Sequence, residues 1–352
     1  MAEKVFINFL LAAVIVICTA VPAQTVAVPK APHGLYVLLF PGRHDPSAFV
    51  ESLRNNPVVS GAIIYVVWGK IDQGPGSNPR YDWSSVDEQI APWVAAGKTV
   101  NLVVWATGYG PNRSKVTPAY VMAEVPTVSC KQSKNVPIFW SPEFVNNYQP
   151  FMKEVVQRYS DNPSIGYIRF GLSGGGETFP VCYFALKQKY EDFNRIWPEY
   201  IISMLDYEKT LNSPKLMVGL TPFGRPSDSK DYLSEVSAAA LRDNIAIGIQ
   251  GLQSSDMTSN GSASSRCWYC PIFNEHQGEL PLEMQTFLKS QPEGGKIGSL
   301  VDLLPFGISQ HAQIFEIYLQ DWQIAYDPDD PQYGQYHAVY QQAFEKAQKS
   351  VH

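Results

Sequence analysis

The stretch GAIIYVVWGKIDQGPGSNPRYDWSSVDEQIAPWVAAGKTVNLVVW, residues 61–105, decides the fold. It opens on an apolar run rich in β-branched side chains, the pattern of a strand covered on both faces. The segment DWSSVDEQIAPWVAAGK then carries a helical signature, with Asp82 or Ser84 available as N-cap and Gly97 as the stop. A second apolar run, TVNLVVW, closes the unit. Two doubly covered strands joined through a helix are parallel neighbours.

The same alternation continues in both directions. Apolar runs fall at 33–40, 60–71, 99–108, 165–174, 215–224, 244–253, 280–287 and 313–322. Helical patterns separate most of them, including SPEFVNNYQPFMKEVVQRYSDNP with a Ser-Pro start and KQKYEDFNRIWPEYIISMLDYEKTLN. Eight parallel strands with right-handed crossovers close most economically into a single (β/α)8 TIM barrel of the α/β class. Long loops follow strands three (106–140) and six (254–279). An open doubly wound sheet is the competing layout, but LLFPGRHDP after the first strand is no glycine-rich phosphate fingerprint.

The chain's 352 residues and 45% apolar content suit one such barrel. Residues 1–23 read as a secretory signal peptide cut near Ala23, leaving residues 24–352 as the barrel. The mature chain is then secreted or periplasmic, a monomer without a membrane partner. A net charge of −6 with no basic run argues against nucleic acid. In an exported chain Cys130, Cys182, Cys267 and Cys270 favour disulfides. The CWYC pair could instead supply half a zinc site or a redox couple. Cys130 and Cys182, however, have no partners at metal spacing, so Cys130–Cys182 and Cys267–Cys270 bridges are expected, with no metal and no cofactor.

In a barrel of this kind chemistry gathers at the carboxyl ends of the strands. Those ends deliver Trp68, Trp105, Glu177, Glu283 with Gln285, Glu316 with Tyr318, and Trp322. The set is rich in carboxylates, aromatics and amides, and its histidines are scattered. Paired carboxylates between aromatic platforms suit glycoside hydrolysis, one acid protonating the leaving oxygen and one carboxylate attacking or activating water. FGLSGGGETFP, residues 170–180, spends three glycines to deliver Glu177.

On these motifs, and on the stretch at 61–105, the chain resembles the retaining glycoside hydrolases of clan A. That superfamily of (β/α)8 barrels contains cellulase-like and β-galactosidase-like families. The resemblance implies a β-glycoside substrate, Glu177 as acid/base and Glu283 as nucleophile, with Glu316 as its rival. It implies Trp322 as the platform beneath the reactive sugar. Trp68, Trp105, Gln285, Glu316 and Tyr318 are the further substrate contacts expected. The family's usual Asn before the acid/base is replaced by Gly176. A non-catalytic carbohydrate-binding barrel is the alternative, and a metal-assisted barrel hydrolase a third.

Overall fold

The computed structural model describes residues 32–40, 48–108, 115–131, 133–224 and 226–351. The expected export segment lies outside them. Eight strands close a parallel barrel: β1 (Gly34–Leu39), β2 (Val59–Val67), β3 (Thr99–Trp105), β6 (Ile165–Phe170), β7 (Leu216–Leu220), β8 (Ala246–Leu252), β9 (Leu282–Thr286) and β10 (Ile314–Tyr318). Each of the eight apolar runs supplies one strand. Around the ring each strand pairs with its sequential barrel neighbour, and β10 closes on β1 with Tyr36 opposite Glu316.

Helices α1 (Ala48–Asn55), α3 (Ser84–Ala95), α5 (Pro142–Tyr159), α7 (Phe193–Thr210), α8 (Pro226–Arg242) and α10 (Leu300–Ser309) fill crossovers, and α12 (Tyr333–Ser350) follows the last strand. The Ser141 hydroxyl caps α5 by accepting the Phe144 N–H at 3.3 Å, and Pro142 takes the first helical position. Gly97 stops α3 in the left-handed region at φ 71°. The helix expected from 187 onward is two, α6 (Tyr183–Lys189) and α7, interrupted at Tyr190, whose ring packs edge-on against Trp140.

Two apolar runs pass directly from strand into helix. β2 ends at Val67 and gives way to one helical turn, α2 (Trp68–Ile71); β10 ends at Tyr318 and feeds α11 (Leu319–Tyr326). The loop after β3 holds α4 (Ala119–Glu124) and a hairpin of β4 (Thr127–Cys130) and β5 (Ser133–Pro137). The loop after β8 holds only a 3-10 turn at Ser254–Asp256 and α9 (Cys270–Glu275). Both expected disulfides are present. Cys130–Cys182 ties the hairpin to the segment after β6, and Cys267–Cys270 closes a four-residue ring. Among the described residues no helix is long and apolar enough to cross a membrane.

Two apolar layers result. The larger lies between strands and helices; the smaller fills the barrel with Tyr36, Leu38, Ile63, Tyr65, Val103, Tyr167, Met217, Ala246 and Ile314. The inner layer also contains Arg169, Glu283 and Glu316, all fully buried.

Candidate active site

The cavity of about 1160 Å³ at the carboxyl end of the strands is where their inward side chains run out. One wall is aromatic. Phe40 stacks on Tyr65 at 5.1 Å between ring centres, Tyr65 meets Trp105 at 4.8 Å, and Tyr318 lies 5.6 Å from Phe40. Across from it stand Glu177, Thr221 and Gln250, with Phe179, Trp268, Phe287 and Leu288 toward the rim.

Glu177 is half-buried and held on both oxygens. Thr221 Oγ1 donates to Oε2 at 3.0 Å. The Gln250 amide nitrogen donates to Oε1 at 2.6 Å, while its oxygen accepts from Arg169 Nη2 at 2.8 Å. A guanidinium carries donors only, so Arg169 fixes which way the Gln250 amide turns. Burial pushes the Glu177 carboxyl up to about 7, against the lowering pull of the Thr221 hydrogen bond and the Arg169 charge. A carboxyl poised there can give a proton near neutral pH.

Gly176 is explained by what lies beneath the loop. A Cβ there would sit 2.3 Å from Val103 Cγ1 and 3.2 Å from Arg169 Nε. The position that holds Asn in the resembled family is closed by the Arg169 guanidinium and Val103. The glycine therefore serves close approach from the barrel interior.

Glu283 and Glu316 are inward-facing, as strand alternation predicts, but one layer too deep. Gln285 and Tyr318 stand two residues further along the same strands, roughly 6.6 Å nearer the mouth, and these two line the cavity. Gln285 Nε2 donates to Tyr318 Oη at 3.3 Å. Glu283 and Glu316 are not among the lining residues. Arg169 donates to Glu283 Oε2 at 3.1 Å and to Glu316 Oε2 at 2.8 Å, and Tyr167 donates to Glu316 Oε1. Glu283 Oε1 has no protein partner. Burial raises Glu283 to about 8, against the lowering pull of Arg169, and raises Glu316 well above its ordinary value. One guanidinium balances one carboxylate, so a proton held by the other keeps the buried trio near neutrality. The structure therefore does not bring Glu283 or Glu316 face to face with Glu177 across open space. Gln250 and Arg169 lie in the hydrogen-bonded path between them.

Two expected sugar contacts lie elsewhere. Trp68 points outward into α5, stacking on Phe151 at 5.7 Å and donating Nε1 to Asp72 Oδ2 at 3.2 Å. Its parity with Ile64 and Val66 puts it on the helix-facing side of β2, while Tyr65 and Val67 face the cavity. Trp322, expected at a strand end, belongs to α11 and is fully buried against Phe344 at 4.5 Å. Neither lines the cavity. Trp105, Gln285 and Tyr318 do. Gln250 is placed by the sequence at the end of its strand but without a role; Tyr65, Thr221 and Trp268 are not placed in the site by sequence reasoning. Inward parity with Ile63, Met217 and Gly219 was the available signal for Tyr65 and Thr221. Trp268 is presented by the Cys267–Cys270 ring, whose cysteines alone drew attention in the sequence.

No family model and no curated protein matches the chain in sequence. In structure it is similar to the β-galactosidase of the psychrophilic Marinomonas ef1, with a TM-score of 0.57 and 10% identity, over 90% of this chain and 59% of that one. The β-galactosidase from Bacillus circulans sp. alkalophilus gives 0.55 and 14%, over 91% and 56%. A glycosylated endo-β-1,4-xylanase of glycoside hydrolase family 10 from Gloeophyllum trabeum gives 0.52 and 13%, over 94% of this chain and 99% of that one. The chain thus spans less than two thirds of either β-galactosidase. At these identities the likeness is one of fold, and it is the barrel fold that the sequence resemblance implied.

Proposed function

We propose that this barrel is an exported glycoside hydrolase in which Glu177 is the general acid. The observation that carries the reading is the Glu177 carboxyl itself. It is raised to about 7, held by Thr221 and Gln250, and faces an aromatic-walled cavity at the catalytic end of the barrel. Aromatic faces such as Tyr65 and Trp105 suit the apolar faces of sugar rings. The fold likeness to β-galactosidases and a xylanase, proteins named for acting on glycosides, supports the same reading. The two disulfides suit an exported chain, with residues 1–23 as its signal.

In this account a glycosidic oxygen approaches Glu177 and takes its proton as the bond to the anomeric carbon breaks. The Gln250 amide and the Thr221 hydroxyl hold the carboxylate that remains. A covalent, retaining course needs a second carboxyl about 5–5.5 Å from the first. Glu283, the residue the family resemblance points to, would have to leave Arg169 and rise through the cavity floor to serve. Without that movement Gln285 and Tyr318 are the polar groups that face the cavity from β9 and β10; they can hold a water, whose proton would pass to solvent as it attacks.

The competing reading, a carbohydrate-binding barrel without turnover, is favoured by one observation. Arg169 engages both Glu283 and Glu316. A panel of aryl β-glycosides, with proton NMR of the first-formed product, separates the readings. Retention requires an attacking group such as a freed Glu283, and inversion requires a water. Sugar binding with no hydrolysis across the panel gives the binding barrel.

A further inference from the structure

Two cations line the cavity wall built by the loops after β2 and β3, Lys70 and Lys115. Both are exposed. Lys70 belongs to the single turn α2; Lys115 precedes the segment that packs on it. Gly69 makes that packing possible. Its N–H donates to Val116 O at 2.6 Å, and a Cβ there would lie 2.5 Å from Lys115 O. The backbone contact brings the two lysines to the same side of the mouth in a chain of net charge −6.

The carboxylates nearest in sequence or in the site are engaged elsewhere. Asp72 accepts from Arg80, from Tyr120 Oη at 2.7 Å, from Trp68 and from the Gly74 N–H. Glu177 is held by Thr221 and Gln250, and Glu283 and Glu316 by Arg169 beneath the floor. Among the described residues neither lysine is in an ion pair. Like charges gathered at a concave, partly apolar wall raise the local concentration of an anionic ligand.

We propose that the saccharide taken by this cleft carries an anionic group, a carboxylate or a sulfate, held by Lys70 and Lys115. The proposal rests on the reading of the cavity as a glycoside site and names its substrate class. An anion on this wall leaves the aromatic faces of Tyr65 and Trp105 free for the sugar ring.

The test uses the mature protein and matched oligosaccharides in neutral, uronic-acid and sulfated forms. Binding is followed by calorimetry on the Glu177→Gln variant, and hydrolysis on the wild type. The expected result is binding of an anionic form at least about tenfold tighter than its neutral match, a preference lost as salt rises. Replacing both lysines with glutamine should cut the anionic-to-neutral affinity ratio by about tenfold or more, since a charge-assisted contact is roughly twice as strong as a neutral one. Replacing both with arginine should keep most of that ratio. The uronate and sulfate arms distinguish which anion is taken. Neutral members bound and cleaved as well as charged ones, with a ratio that Lys70→Gln/Lys115→Gln does not change, overturns the proposal and leaves the hydrolase reading standing. Lysine-dependent binding of anionic members with no cleavage of any supports the proposal and removes the hydrolase reading.

Discussion

Thr221→Val is the sharpest probe of how the site sets its acid. The substitution keeps the side-chain volume and removes one hydroxyl, whose Oγ1 donates to Glu177 Oε2 at 3.0 Å. That donor favours the ionised carboxylate and works against the burial that raises the group to about 7. A hydrogen bond to a charged group contributes roughly 1.5–3 kcal/mol. In a half-open cavity the lower end applies, and at about 1.36 kcal/mol per pKa unit it equals about one unit. The sign follows from which form loses its partner. Without Thr221 the carboxylate is less stabilised, so the proton is held to higher pH. The Glu177 carboxyl should titrate about one unit higher by carbon-13 NMR, and the alkaline limb of the pH–rate profile should move upward with it. A limb that stays in place, or moves down, would refute the role given to Thr221 and the titration assigned to Glu177.

Other outcomes follow from the same geometry. Gly176→Ala forces a Cβ to within 2.3 Å of Val103 Cγ1, so overpacking should cost about 1–3 kcal/mol in denaturant unfolding. Replacing Cys130 and Cys182 with alanine releases a loop of sequence separation 52, and should lower stability by about 2–4 kcal/mol in unfolding experiments. Glu283 has a folded pKa of about 8, above its ordinary 4.5, so the folded state holds this proton more tightly. Its contribution is then fully present below pH 4.5 and is lost as pH rises through about 8. Glu283→Gln should flatten that decline in thermal melts taken from pH 5 to 9, and an unchanged slope would count against the buried proton. Arg169→Met leaves the two buried carboxyls without their cation and should destabilise by about 3–5 kcal/mol, far more than Glu283→Gln.

The barrel was legible because its signal is repeated eight times. Each doubly covered strand reads as an apolar run, and the helices carry their own start and stop signals, as at Ser141 and Gly97. Glu177 was legible for a different reason, since three glycines before one acid mark a backbone pressed against something. Depth was not legible. Alternation puts Glu283 and Gln285 on one face but does not say which one ends the barrel interior. That depends on where β9 stops against β8 and β10, a long-range fact. Arg169, set in a strand between Ile168 and Phe170, could be read as a partner for Glu283. Its hold on Glu316 as well, and on Gln250, needs three strands placed together. The places of Trp68 and Trp322 were hard to read because apolar runs continue past the true strand ends into α2 and α11, so the strand ends are not marked locally.

Everything proposed for the cavity turns on Glu177 acting as the acid that protonates a leaving glycosidic oxygen. A leaving-group series tests it, with aryl glycosides from dinitrophenyl to unsubstituted phenyl and an alkyl glycoside, cleaved by wild type and by Glu177→Gln. General acid catalysis contributes about 10²–10⁴ in rate where the leaving oxygen needs a proton. The expected result is a loss of that size for the poorest leaving groups, shrinking toward none for dinitrophenyl. Equal losses along the whole series, or a variant as active as wild type on the alkyl glycoside, would contradict the central claim.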